Sequence, residues 1–238
     1  MKDPRKAAAG LVQELVATFD GELRSALLYG SVARGEYLDG VSNINVLVLF
    51  DDITPATLQR ASPLARRWAE EGLVPLLLER AEWDSAADVF AIEVLDMLDA
   101  REVLHGGDPV NGIDVSHGAL RLQAEHELRG KLITLHGGML RAADSPESMG
   151  TLLAMALPSM LTYLRAALRL AGRQVPGTSG AVIDAASDLI GFDPAGFHAA
   201  LAARGARGKW KIAITDAAVD RYHTAAERTA SFVDRIGK

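Results

Sequence analysis

Leu27-Leu28-Tyr29-Gly30-Ser31 and, eleven residues on, Ser42-Asn43-Ile44-Asn45-Val46-Leu47-Val48-Leu49 are the stretches that decide how this chain reads. Ser25 to Tyr29 is a short apolar run stopped by Gly30, the pattern of a buried strand. Asn45 to Phe50 is a Val-rich apolar run after its first residue and stops at Asp51-Asp52. It does not alternate, so it predicts a strand covered on both faces. Gly30 permits close backbone approach, and Ser31 offers a hydroxyl that can cap a following helix. Asn43 and Asn45 are two residues apart, which on a strand puts both side chains on one face.

The flanking sequence mixes further β-type runs with helical stretches. Pro4 to Phe19 carries Leu11, Leu15 and Val16 at helical spacing. Ser31 to Tyr37 reads as a short helix or turn, and Pro55 to Glu71 as a helix ended by Gly72. Val74 to Leu78 and Val89 to Met97 read as two more strands. A small mixed sheet with helices packed on it accounts for this half. The character changes near Gly106-Gly107-Asp108-Pro109. Beyond Gly112 to Ser116 the pattern is helical over His117–Ala143, Pro146–Gly172, Ser179–Gly191, Pro194–Arg204 and Thr215–Ile236. Pro158 is expected to kink the second of these or to mark its true start. The expected domains are 1–115 and 116–238.

The Gly30-Ser31 turn followed at this spacing by Ser42-Asn43-Ile44-Asn45 resembles the active-site signature of the polymerase-β-type nucleotidyltransferases. Arg34 and Gly35 extend it to Gly-Ser-x-x-Arg-Gly, common in bacterial members. The family reads Asp-x-Asp where this chain has Asn43-Ile44-Asn45. The resemblance implies an α/β (α+β) fold: a small mixed-sheet nucleotidyltransferase domain followed by a helical bundle. It places Gly30, Ser31, Arg34 and Ser42 around a nucleoside triphosphate and Mg²⁺ at positions 43 and 45. A third carboxylate is implied on a later strand, with Glu93 as candidate metal ligand and Asp96 as the alternative. Strand alternation would put these two on opposite faces. Arg34 is expected to brace the loop through a carboxylate. Amide oxygens can ligate Mg²⁺ but bring no charge, so losing two carboxylates should weaken the metal greatly.

Leu120 to Leu132 is similar to the first long helix after the catalytic domain in a group of bacterial nucleotidyltransferase-like proteins. Kanamycin-type nucleotidyltransferases share this two-part plan, and their helical domain supplies a general base. Glu127 occupies a candidate position for it, although Glu125, Glu127, Arg129 and Lys131 also read as a solvated helix face. Arg129 and His136 match the loose Arg-x₆-His spacing of HEPN-type ribonucleases. The other histidines, including His126 and His223, show no HExxH or similar metal spacing. Arg204 to Lys211 is the one basic cluster, either a phosphate or base contact or a charged surface loop.

The 238 residues are 49% hydrophobic, enough for one large domain or two small ones with cores of their own. A net charge of -6 argues against generic nucleic-acid binding. With no cysteine there is no disulfide, thiolate zinc site or cysteine nucleophile, which suits a reducing cytoplasm. The longest apolar tract, Leu152 to Leu164, is broken by Pro158, Ser159 and Thr162, so a soluble cytoplasmic protein without membrane partners is expected. Met155, Met160, Leu161, Leu164 and Leu168 could form a homodimer face or simply pack a core. The expected function is that of a degenerate nucleotidyltransferase-like protein, impaired in transfer and retaining nucleotide binding in a regulatory or binding role. The alternatives are an active enzyme moving a nucleotidyl group from an NTP to a small-molecule or protein hydroxyl with Mg²⁺, and an antitoxin-like scaffold.

Overall fold

The computed structural model describes residues 3–85, 87–205 and 210–236. The chain divides into two compact units, Met1–Val115 and Ser116–Lys238.

The first unit runs α1 (Pro4–Thr18), β1 (Leu23–Tyr29), α2 (Ser31–Arg34), β2 (Ile44–Phe50), α3 (Pro55–Glu70), β3 (Leu73–Glu79), α4 (Arg80–Ser85), α5 (Ala91–Asp99) and β4 (Arg101–Gly106). The Asp3 carboxylate accepts from the Arg5 and Lys6 N–H groups and starts α1. Thr54 and Thr57 cap α3 reciprocally, with Pro55 in its first turn. The strands form one sheet in the order β3-β2-β1-β4. β2 is antiparallel to β1 and parallel to β3, and β4 is antiparallel to β1.

Both sheet faces are covered, as the unbroken apolar run of β2 requires. On one face Leu28, Val46 and Val48 pack with Leu11 and Leu15 of α1 and Trp68 of α3. On the other, Leu27, Leu47 and Leu49 pack with Trp83 of α4 and Val94 and Met97 of α5.

Two expectations fail here. Val89 to Met97 is not a strand, because Ala91–Asp99 is the helix α5. Its buried Ala91, Val94 and Met97 recur every three residues, a helical spacing that its Val and Ile content masks. The fourth strand is instead Arg101–Gly106, a mostly polar edge strand held by backbone pairing to β1.

The second unit comprises α6 (His117–Ala142), α7 (Pro146–Leu170), α8 (Ser179–Ile190), α9 (Ala195–Gly205) and α10 (Ala217–Arg235). α7 is long and apolar enough to cross a membrane by length and composition, yet 61% of that window is buried. Met160, Leu161, Leu164 and Leu168 lie in the core of this unit. Only Met155 of the suggested dimer face is exposed, at 72%. Gly196 of α9 lets the backbones close up, since a Cβ there would lie 2.3 Å from the Tyr222 nitrogen of α10.

Pro158 neither starts nor ends α7, which continues through it. A proline cannot donate to the carbonyl four residues earlier, here that of Ala154. The Arg204 guanidinium donates to that carbonyl at 2.9 Å. Arg204, read above as part of a basic cluster, thus repairs the ladder. The neighbouring residues Ala206 to Lys209 of that cluster lie outside the described residues. Arg204→Met is expected to cost about 1.5–3 kcal/mol in urea unfolding, since it strips a charged donor from a part-buried carbonyl. In a Pro158→Ala background the ladder donor returns, and the same substitution should cost at least about 1 kcal/mol less.

Candidate functional site

The paired strands bring one row of residues together at the end of the sheet. Val74, Asn45, Tyr29 and Arg101 are register partners across β3, β2, β1 and β4. Directly after Tyr29 the chain turns at Gly30 into α2. Gly30 has φ 76° and ψ -147°, a conformation in which only glycine is unstrained. It also faces Asn45, and a Cβ at position 30 would lie 2.8 Å from Asn45 Nδ2. The two halves of the motif are therefore in contact, and both the backbone and the contact demand glycine. The helix cap differs from expectation. Gly30 occupies the N-cap and Ser31 is the first helical residue, with no side-chain cap bond.

Asn43 sits one residue before β2, outside the ladder. It borders a cavity of about 530 Å³ lined also by Leu58, Ala61 and Trp68 of α3 and by Leu73 of β3. The preceding Ser42 hydroxyl accepts from the Leu38 N–H at 3.2 Å and closes the turn before the strand.

Glu93 and Asp96 lie three apart on α5, so they share a helix side rather than the opposite faces of a strand. Asp96 takes the Arg34 guanidinium in a buried ion pair, with side chains 9% and 15% exposed. Arg34 Nη1 also donates to the Asp96 carbonyl at 3.4 Å. Arg34 thus braces the loop as expected, and its partner is now identified. The second Asp96 carboxylate oxygen, Oδ1, is buried without a hydrogen-bond partner.

Tyr29 is the residue that sequence reasoning passed over. Burial first, then the charges of Glu93 and Asp96, push its phenol up to about 12. It stays neutral, a hydroxyl donor at the centre of the site. Its position just before Gly30 was the available signal.

The donors do not suit a pair of divalent ions. Mg²⁺ sites lean on carboxylates plus substrate phosphates. β1 and β2 contain no acidic residue, and the position paired with Asn45 on β3 is Val74. Glu79, at the end of β3, accepts from the Ile53 N–H at 2.9 Å. Asp51 is paired with Arg24 at the opposite end of β2. Asp96 is committed to Arg34. The two positions of the motif themselves offer neutral amides, Asn43 and Asn45.

In the helical unit, Glu127 Oε1 accepts from Gln123 Nε2 at 2.7 Å. Arg129 pairs with Glu125 at 3.5 Å and with Asp234 of α10 at 3.3 Å. His136 meets His223 of α10, with their Nε2 atoms 2.9 Å apart. Arg129 and His136 therefore each have a partner on α10.

No family model matches this sequence, and no curated protein is similar to it. Among solved structures, the chain is similar to spectinomycin adenyltransferase AAD(9) from Enterococcus faecialis, crystallised with ATP and spectinomycin. The TM-score is 0.63 at 10% identity, over 97% of this chain and 99% of that one. A toxin-antitoxin structure with AMP-PNP gives a TM-score of 0.30 at 20% identity, over 42% of this chain and 74% of that one, and bears no weight here. The first likeness shows the fold: this chain shares its two-part architecture, an α/β unit followed by a helical one.

Two measurements check this geometry. Asp96→Asn leaves the Arg34 charge buried without its counter-ion and should cost about 3 kcal/mol in urea unfolding. Adding Arg34→Met should cost less than the sum of the two single changes. Tyr29, ordinarily ionising near 10, is held protonated in the fold to about 12. It contributes stability that is fully present below pH 10 and lost as pH rises towards 12. The urea midpoint of Tyr29→Phe should therefore fall less than that of the parent protein between those two values.

Proposed function

We propose that the first unit holds a nucleoside triphosphate beside the Gly30–Ser31 turn and transfers no nucleotidyl group, so that the chain works as a nucleotide-binding regulatory protein. The observation that carries this reading is the donor set: Asn43 and Asn45 stand where the motif places anionic ligands, and the row on either side of Asn45 holds Val74 and Tyr29. Nucleotidyl transfer depends on cations that neutralise phosphate charge, and carboxylates must hold them.

The nucleotide half of the proposal draws support from two features. AAD(9), whose fold this chain shares, was crystallised with ATP. Gly30 keeps the turn after β1 free of any Cβ beside Asn45, as close backbone approach needs. Neutral amides of Asn43 and Asn45 and the neutral phenol of Tyr29 can donate hydrogen bonds to phosphate oxygens without a metal. Arg34 serves by fixing the loop, since its guanidinium is engaged by Asp96.

Titration calorimetry with ATP, with and without Mg²⁺, tests this. The expected result is weak binding that Mg²⁺ does not strengthen, with no release of pyrophosphate. Tight binding that requires Mg²⁺ overturns the reading in favour of a working enzyme, and absence of binding overturns it in favour of an interaction scaffold. Asn43→Asp combined with Asn45→Asp restores two anionic ligands and should raise Mg²⁺ affinity by about tenfold or more. An unchanged affinity would show that these positions do not face the metal.

A further inference from the structure

We infer that the helical unit carries a transition-metal site: a Zn²⁺ ion held between His136 of α6 and His223 of α10, with Glu227 fixing His223 from behind. The ligating atoms of His136, His223 and Glu227 all lie within 4.8 Å of one another. The two Nε2 atoms already converge at 2.9 Å. Two nitrogens bound to one tetrahedral zinc at 2.0–2.1 Å stand about 3.3 Å apart. Small side-chain rotations that separate the rings by about 0.4 Å admit the ion. The rings are tilted 41° to each other with centroids 5.0 Å apart.

The tautomers agree with this. His223 Nδ1 lies 3.6 Å from Glu227 Oε2, one helical turn further along α10. An Nδ1–H directed at that carboxylate leaves the Nε2 lone pair facing His136. A carboxylate behind a ligating histidine orients the ring and raises its basicity. In the metal-free pair one Nε2 donates to the other, so entry of the ion shifts that ring's proton from Nε2 to Nδ1, and both lone pairs then face the ion. No net proton leaves either ring, and the ion exchanges two bound waters for two imidazoles.

The scaffold is fixed independently of the metal. Arg129 of α6 also pairs with Asp234 of α10 at 3.3 Å, in the same antiparallel register that brings residue 136 beside residue 223. His136 is exposed and the Glu227 side chain is 52% exposed, so the ion enters from solvent and keeps water on its free positions. Paired imidazoles suit Zn²⁺, Co²⁺, Ni²⁺ and Cu²⁺ and disfavour Mg²⁺, which separates this site from any nucleotide chemistry in the first unit. The bound ion would staple α10 to α6.

The test is calorimetric titration of the chelator-treated full chain with Zn²⁺, alongside its Tm with and without the ion. We expect one equivalent to bind and to raise Tm, because an ion that binds only the folded state stabilises it. His136→Ala and His223→Ala should each lower the affinity at least about a hundredfold and abolish the Tm increase, and Glu227→Gln should lower it about tenfold. His126→Ala, which removes an exposed histidine elsewhere on α6, should change nothing. Co²⁺ should give visible bands in the parent protein that His136→Ala loses. No binding by the parent protein, or undiminished binding by His136→Ala, overturns the inference. His136 is exposed, so its replacement spares the core and the test stands even if His223→Ala fails to fold.

Discussion

The buried ion pair between Arg34 and Asp96 is the constraint on which the N-terminal site depends. It joins residues 62 apart in sequence and ties the loop after Gly30 to α5. α5 is anchored in turn by Val94 and Met97 against Leu47 and Leu49 of β2. The turn is thereby held against the sheet rather than left to its own short helix. Such a pair is costly to desolvate and much costlier to break, because either partner alone is a buried uncompensated charge. The arrangement therefore resists drift at both positions together.

That bracing has an electrostatic consequence. The Asp96 carboxylate is already neutralised by the Arg34 guanidinium. Tyr29 beside it stays protonated, since an anion there would have to face Glu93 and Asp96 in a poorly solvated place. Asn45 lies against Gly30 at the same end of the sheet, and Asn43 sits one residue before β2.

How much of this the sequence discloses follows from which forces act locally. β1, β2 and β3 are legible because their apolar runs end at Gly30, Asp51 and Glu79, and in the central strands β1 and β2 burial on both faces leaves little alternation to misread. α5 is not, because a nine-residue helix rich in Val, Ile and Leu looks like a strand unless the spacing of Ala91, Val94 and Met97 is weighed above composition. β4 is invisible for the opposite reason: an edge strand held by backbone bonds needs little apolar pattern. In the site, the need of Arg34 for a carboxylate is readable from its charge. Which carboxylate answers is a tertiary fact that the strand reading of Glu93 and Asp96 obscured. The shift of Tyr29 comes mainly from burial, which no spacing rule encodes. The pairing of His136 with His223 joins two helices 87 residues apart, whereas motif rules for metals look along a single segment.

Pro158 and Arg204 carry the same argument into the helical unit. A proline twelve residues into a twenty-five-residue helix breaks a local rule and ought to end the helix or bend it. Tertiary structure overrides the rule because a cation from α9 reaches the one carbonyl the proline leaves open. Arg204 then ceases to be evidence for a phosphate-binding loop, since its donor is already used within the unit. In both units a charge that composition assigns to ligands proves on inspection to serve the scaffold: Arg34 holds a loop, and Arg204 mends a helix. A cationic side chain near a suggestive motif therefore counts towards binding only after the backbone and the buried carboxylates around it have been satisfied.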